Sequence, residues 1–224
     1  MQAGPLFLSH RGAHTSSIPE NSLAAFDSAL DQGCDGFECD VRLTAGGRAV
    51  ICHDSKVDGI TVSRATETQL LHLPGVEEII SRYCTRAFVD IELKVPGLET
   101  KVLSALRAHP PERDYMISSF LPDVVLELKA RSGAVPVGII CSKAGQLADW
   151  RKLPVEYVIV HKALITRRLV RLIQSAGRRV FAWTVNDKKS MLQLAGWGVD
   201  AIISDRPQVL QKTLRSARLT NEAF

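Results

Sequence analysis

Short β-branched runs alternate with longer amphipathic stretches along nearly the whole chain, and no other feature constrains its fold so strongly. The runs lie at residues 6–10, 36–41, 49–53, 87–93, 115–119, 135–141, 157–161, 179–185 and 200–204. The amphipathic stretches lie at 20–32, 76–84, 98–109, 122–131, 145–152, 166–176, 188–197 and 207–218. Such alternation predicts parallel strands joined by crossover helices. Pro19 precedes the first helix and Gly33 follows it, while Gly177 and Gly198 sit where helices end.

One connection breaks the pattern. Only residues 42–48 separate Val41 from Ala49, and a parallel crossover needs about a dozen residues or more. Gly46-Gly47 is a hairpin turn signal. The run 49–53 is therefore expected to return antiparallel, as a β-hairpin strand after the second strand. Eight parallel strands remain, enough to close an α/β barrel of the (β/α)8 TIM type. No linker, low-complexity segment or repeat interrupts them, so residues 1–224 are expected to form a single domain.

Composition narrows the function classes. The chain is 46% hydrophobic and 23% charged, which excludes disorder, collagen and a pure coiled coil. No stretch of ~18 uncharged apolar residues predicts a transmembrane segment. Residues 1–8 lack the basic start and long apolar run of a signal peptide, so a cytoplasmic location is expected. The five cysteines are scattered without a CxxC pair. They indicate neither a disulfide framework nor a zinc site and are expected to pack as small apolar groups. Basic residues outnumber acidic ones by 28 to 24 and are read as spread along the chain, with no cluster interleaved with aromatics. Nucleic acid is therefore not an expected partner.

Strands of a parallel barrel are normally apolar on both faces. Three here carry charge toward their C-terminal ends. Glu38 and Asp40 alternate with Phe37, Cys39 and Val41; Asp90, Glu92 and Lys94 alternate with Val89, Ile91 and Leu93; the first strand ends in His10-Arg11. With a side-chain period of two, each charged set shares a face, which must point inward or to the mouth where barrel enzymes place their sites. Centring the hairpin on Gly46 pairs Val41 with Ile51 and Cys39 with His53, and brings His53 beside Glu38 and Asp40. Glu38, Asp40 and Glu92 offer three hard oxygen ligands, suited to a divalent cation, Mg2+ or Ca2+, rather than zinc. Arg11 and Lys94 supply positive charge for a phosphate. His10 and His53 can act as acid and base near neutrality. Together these groups suit phosphodiester hydrolysis. His14, His72 and His109 are read as structural, and His161 as the next candidate base should His53 prove structural.

The same residues fall in longer motifs. Ser9-His10-Arg11-Gly12 is followed by Pro19-Glu20-Asn21-Ser22, then by Gly36-Phe37-Glu38-Cys39-Asp40-Val41-Arg42 and Cys52-His53-Asp54. Further on come Ile91-Glu92-Leu93-Lys94, Ser118-Ser119-Phe120, Trp183-Thr184-Val185-Asn186 and Ser204-Asp205-Arg206-Pro207. In this order the chain resembles the glycerophosphodiester phosphodiesterase family. The resemblance implies a TIM barrel of the phospholipase-C-like phosphodiesterase type and a metal-dependent enzyme. Its small-molecule substrates would be glycerophosphodiesters, cleaved to sn-glycerol 3-phosphate and an alcohol. It makes His10 and His53 the acid–base pair, Glu38, Asp40 and Glu92 the metal ligands, and Arg11 and Lys94 the phosphate-holding pair. It gives Glu20 and Asn21 a supporting role at the site edge, and has Phe120 and Trp183 line the mouth.

One segment departs from the family. Residues 55–74 are compressed, with Val57-Asp58-Gly59-Ile60 as a tight turn. A more open mouth would admit bulkier groups, including a lysophospholipid, so a lysophospholipase D-type activity is the alternative. Retention of both histidines and all three carboxylates argues against a non-catalytic phosphate-binding module.

Overall fold

The computed structural model describes residues 4–66 and 68–221. Eleven strands are present among them: β1 Leu6–His10, β2 Gly36–Leu43, β3 Ala49–Ile51, β4 Lys56–Val57, β5 Ile60–Thr61, β6 Phe88–Leu93, β7 Tyr115–Ser119, β8 Val137–Cys141, β9 Tyr157–His161, β10 Arg179–Trp183 and β11 Ala201–Ser204. The α-helices are α1 Leu23–Asp31, α2 Val76–Tyr83, α3 Glu99–Ala108, α4 Pro122–Arg131, α5 Arg167–Ser175, α6 Lys188–Trp197 and α7 Pro207–Asn221.

Eight parallel strands close on themselves in the order β1-β11-β10-β9-β8-β7-β6-β2, with β2 pairing back to β1. β3 lies antiparallel on β2 with Val41 opposite Ile51, the register expected from a turn at Gly46-Gly47. The barrel interior is filled low down by Leu8, Phe88, Met116, Tyr157, Ile159 and Phe181. Outward apolar residues such as Phe37, Cys39 and Val41 are fully buried against the helices. Phe37 stacks on Phe26 of α1 with ring centroids 4.1 Å apart. Register sets the layer above: His10 lies opposite Glu38, and Asp40 opposite Glu92.

Three expected elements differ. The first helix begins at Leu23 rather than residue 20, because Asn21 takes a left-handed φ of 55° and the Ser22 hydroxyl caps the Ala25 N–H. Glu20 and Asn21 are thereby released into a loop at the mouth. The return strand ends at Ile51 and does not carry His53. Its last rung is the Cys52 N–H donating to Asp40 O, after which Arg42 Nε holds the His53 carbonyl at 2.7 Å. The helix expected over 145–152 is reduced to a 3-10 turn at Gln146–Ala148. There the Gln146 side chain folds back onto the N–H groups of Ser142 and Lys143. The buried Trp150, flanked by Arg151 and Arg178, packs the flank in its place. The Val57–Ile60 turn is present: β4 and β5 pair across Asp58 and Gly59, whose φ values of 51° and 77° are those of a type I′ turn.

Candidate active site

The site begins with a sharp bend after β1. Arg11 has φ 57° and Gly12 φ 80°. A Cβ on Gly12 would lie 2.6 Å from the Ala25 backbone, so only glycine lets α1 approach here. The bend directs the Arg11 N–H to Glu38 Oε2 at 3.1 Å and brings Arg11 Nε to 3.1 Å from Asp40 Oδ2. Arg11 Nη1 also donates to both oxygens of Glu20, at 3.0 and 3.2 Å. Asn21 grips Asp40 twice: its amide donates to Oδ2 at 2.8 Å and its carbonyl accepts the Asp40 N–H at 3.2 Å. Lys94 Nζ lies 3.2 Å from Asp40 Oδ1 and 2.7 Å from Glu92 Oε1.

Glu38, Asp40 and Glu92 are all buried, and one oxygen of each lies within 4.8 Å of the others. Burial and its carboxylate neighbours push the Glu38 carboxyl well above its usual range, against the pull of Arg11. Burial and Asp40 raise Glu92 likewise, opposed by Lys94. Burial would also raise Asp40, but Lys94, Arg11 and the Asn21 hydrogen bond outweigh it and hold Asp40 low. Below them Asp90 is raised to about 8 by burial, although the Ser118 hydroxyl donates to it at 2.6 Å. The buried Glu38 Oε1 has no hydrogen-bond partner among the described residues. An unpartnered carboxylate oxygen in a cluster of hard donors fits a divalent cation, whose charge would offset their mutual repulsion.

His10 Nδ1 lies 2.6 Å from Asp205 Oδ1, and His10 Nε2 is 3.9 Å from Glu38 Oε2. Asp205 is held in turn by Asn186, whose amide donates to Oδ2 at 2.6 Å and whose carbonyl accepts the Asp205 N–H at 3.0 Å. Burial would raise the Asp205 carboxyl, but the hydrogen bonds from His10 and Asn186 bring it down to about 2. Asp205 is thus an ionised acceptor facing His10 Nδ1, and Nε2 is the ring nitrogen turned toward the carboxylates. His53 stands at the rim with Nδ1 2.8 Å from Asp54 Oδ1. Beside it a cavity of about 380 Å3 is lined by Glu20, Asn21, His53, Asp54 and the β4–β5 hairpin. Across the mouth Trp183 packs edge-on to Phe120 and to His161, each at 5.5 Å between centroids. The Trp183 Nε1 is buried without a hydrogen-bond partner among the described residues.

The fold thus gathers His10, Arg11, Glu20, Asn21, Glu38, Asp40, Glu92 and Lys94 at one point, with His53 on one rim and Phe120 and Trp183 on the other. Asp205 and Asn186 complete the set and carried no role in the sequence reading. Their signal was a charged or amide residue just past a barrel strand, at the end where sites form.

Sequence and structure comparisons bear on the barrel and its family. The sequence model of the Glycerophosphoryl diester phosphodiesterase family matches residues 10–82 and 73–209. A glycerophosphodiester phosphodiesterase from Caldanaerobacter subterraneus subsp. tengcongensis is 30% identical over 94% of this chain and 98% of that protein. A phosphodiesterase from Oleispira antarctica, solved in complex with the product sn-glycerol-3-phosphate, superposes with a TM-score of 0.83 at 26% identity. That match covers 95% of this chain and 97% of the other. A structure from Silicibacter pomeroyi has a TM-score of 0.83 at 19% identity, covering 96% and 95% of the two chains, and shows the shared barrel. The fold and site define a TIM-barrel phosphodiesterase. The chain belongs to the glycerophosphoryl diester phosphodiesterase family of enzymes.

Proposed function

We propose that this protein hydrolyses glycerophosphodiesters to sn-glycerol 3-phosphate and an alcohol, using a divalent cation and His10 and His53 as acid and base. The observation that carries the reading is the meeting of three carboxylate oxygens within 4.8 Å, ringed by His10, Arg11 and Lys94. Glu38, Asp40 and Glu92 would hold Mg2+ or Ca2+, which supplies positive charge opposite the phosphoryl oxygens when bound. Asn21 fixes Asp40, and Glu20 fixes Arg11, so these two support the ligands and the anion clamp rather than meet substrate.

Arg11 and Lys94 both lean on Asp40 and keep N–H groups free for a phosphate. They neutralise charge as it grows on the phosphoryl oxygens. One histidine takes a proton from the nucleophile, water or a substrate hydroxyl; the other gives a proton to the departing alkoxide. Each is set for this by a carboxylate on Nδ1, Asp205 for His10 and Asp54 for His53. Phe120 and Trp183 wall the side of the mouth opposite His53. We read residues 1–224 as one such domain. Its five free, buried cysteines suit a reducing cytoplasm, and no helix among the described residues is long and apolar enough to cross a membrane.

The test is release of sn-glycerol 3-phosphate from a panel of head-group diesters, with and without chelator. The expected result is release that stops on chelation and returns with Mg2+ or Ca2+. Full activity in chelator would overturn the metal's role, and no release from any diester would overturn the substrate class.

A further inference from the structure

The excess positive charge is not spread along the chain, as the sequence reading had it. Residues 162–189 carry eight basic side chains against one acidic, a larger surplus than the +4 of the whole protein. Five of them stand exposed on two adjacent helices: Arg167, Arg168 and Arg171 on α5, and Lys188 and Lys189 on α6. None of the five makes an ion pair among the described residues. The single acid, Asp187, caps α6 and faces Lys162 at 3.4 Å. Neither helix contains an acidic residue, and the described side chains of the neighbouring α7 add Lys212 and Arg215 and no acid. Arg167 and Arg171, one helical turn apart, repel each other. Unpaired like charge of this density costs a free protein self-repulsion.

Two apolar side chains lie within this basic surface. Leu172 is 40% exposed one residue after Arg171, and Leu192 is 46% exposed one turn after Lys188. Both helices start at the C-terminal ends of their strands, so Arg167, Arg168, Lys188 and Lys189 sit at the mouth end of the barrel. Trp183, which ends β10 a few residues before α6, lines the cavity of His10 and Glu38. Cations interspersed with exposed leucines, with Trp183 and Trp197 half-buried against the core rather than presented to solvent, suit a lipid headgroup layer better than a nucleic acid.

We propose that the flank formed by α5 and α6 docks on an anionic lipid surface, with the mouth of the barrel held beside it. This does not depend on the reaction assigned to the site. Each Lys or Arg near an anionic leaflet strengthens partitioning about fivefold, so three together are worth about 100-fold.

The experiment is sedimentation of the full chain with vesicles of phosphatidylcholine containing about 30% phosphatidylglycerol, and with phosphatidylcholine alone, at about 0.1 M salt. Binding is expected only to the anionic vesicles, with release at about 1 M salt, where the Debye length shrinks to ~3 Å. Arg167→Gln/Arg168→Gln/Arg171→Gln should weaken partitioning about 100-fold with unchanged Tm and unchanged turnover of a soluble diester. A separate Leu172→Ser/Leu192→Ser variant should weaken it without altering its salt dependence. Equal binding to neutral vesicles, no binding to anionic ones, or wild-type partitioning by the triple variant would overturn the proposal. Tighter binding of polyuridylate than of the vesicles at the same salt would assign the surface to nucleic acid instead.

Discussion

His10 on the first barrel strand and Asp205 after the last are joined at 2.6 Å across 195 residues of sequence. The contact exists because barrel closure sets β1 beside β11, with Ser9 opposite Ser204. Asp205 fixes which nitrogen of His10 carries the proton, and Asn186 fixes Asp205. Asp205→Asn should keep the fold and the substrate affinity but let the His10 ring turn. The expected outcome is a kcat lowered roughly 10- to 100-fold, part of the ~10²–10⁴ of a general acid or base, with KM little changed in steady-state assays.

The same pair makes stability depend on acid. Asp205 is held near 2 against a usual 3.8. A carboxyl depressed on folding stabilises the protein above its unfolded value and loses that contribution as pH falls through its folded value. The stabilisation is therefore expected to be full above about 3.8 and to vanish toward 2. Urea unfolding between these limits should show a steeper loss of stability for the wild type than for Asp205→Asn.

Glu38 bears the opposite shift, raised by burial among carboxylates. Replacing it with glutamine removes a carboxyl whose charged form burial and its carboxylate neighbours disfavour, an effect that Arg11 opposes in part and a bound cation would oppose further. In chelator, Glu38→Gln should melt roughly 2–4 °C higher, equivalent to about 1 kcal/mol for a chain of this size. The wild type should gain Tm on adding Mg2+ or Ca2+, and the variant should gain almost none. Differential scanning calorimetry with and without metal reads both effects.

His53 is the more accessible member of the pair, half-buried at 34%, with its ring steadied among the described residues by its neighbour Asp54. His53→Ala should lower kcat by at least ~10²-fold, while His109→Ala, at the end of α3 beside Glu77, should leave it unchanged. Should His53→Ala retain near-normal kcat, His161 against Trp183 is the next base to replace.

The barrel was legible because its strands announce themselves. Glu38, Asp40, Glu92 and Lys94 interrupt otherwise apolar runs at one end, and a seven-residue gap after Val41 leaves no room for a helix. Periodicity carries that information because a parallel strand is buried on both sides. The missing helix at 145–152 was not legible. Its amphipathic pattern is real, but Gln146 satisfies the local N–H groups by itself and Trp150 fills the space a helix would cover. Nor could the pattern fix where β3 stops, which is decided by Arg42 reaching the His53 carbonyl. Glu20 and Asn21 were matched to the site by motif yet assigned to a helix, since nothing local reveals a left-handed asparagine. Asp205 was visible as a residue and invisible as a partner, because its meaning depends on closure between the two ends of the chain.

The most direct measurement is kcat for release of sn-glycerol 3-phosphate by His10→Ala, made on protein whose melting matches the wild type. His10 sits between Asp205 and the Glu38 cluster with its Nε2 toward the carboxylates. Loss of the ring should cost at least ~10²-fold in kcat while metal-induced stabilisation persists, since the three carboxylates remain. A His10→Ala protein that turns over at near the wild-type rate would contradict the account and move the chemistry away from this mouth.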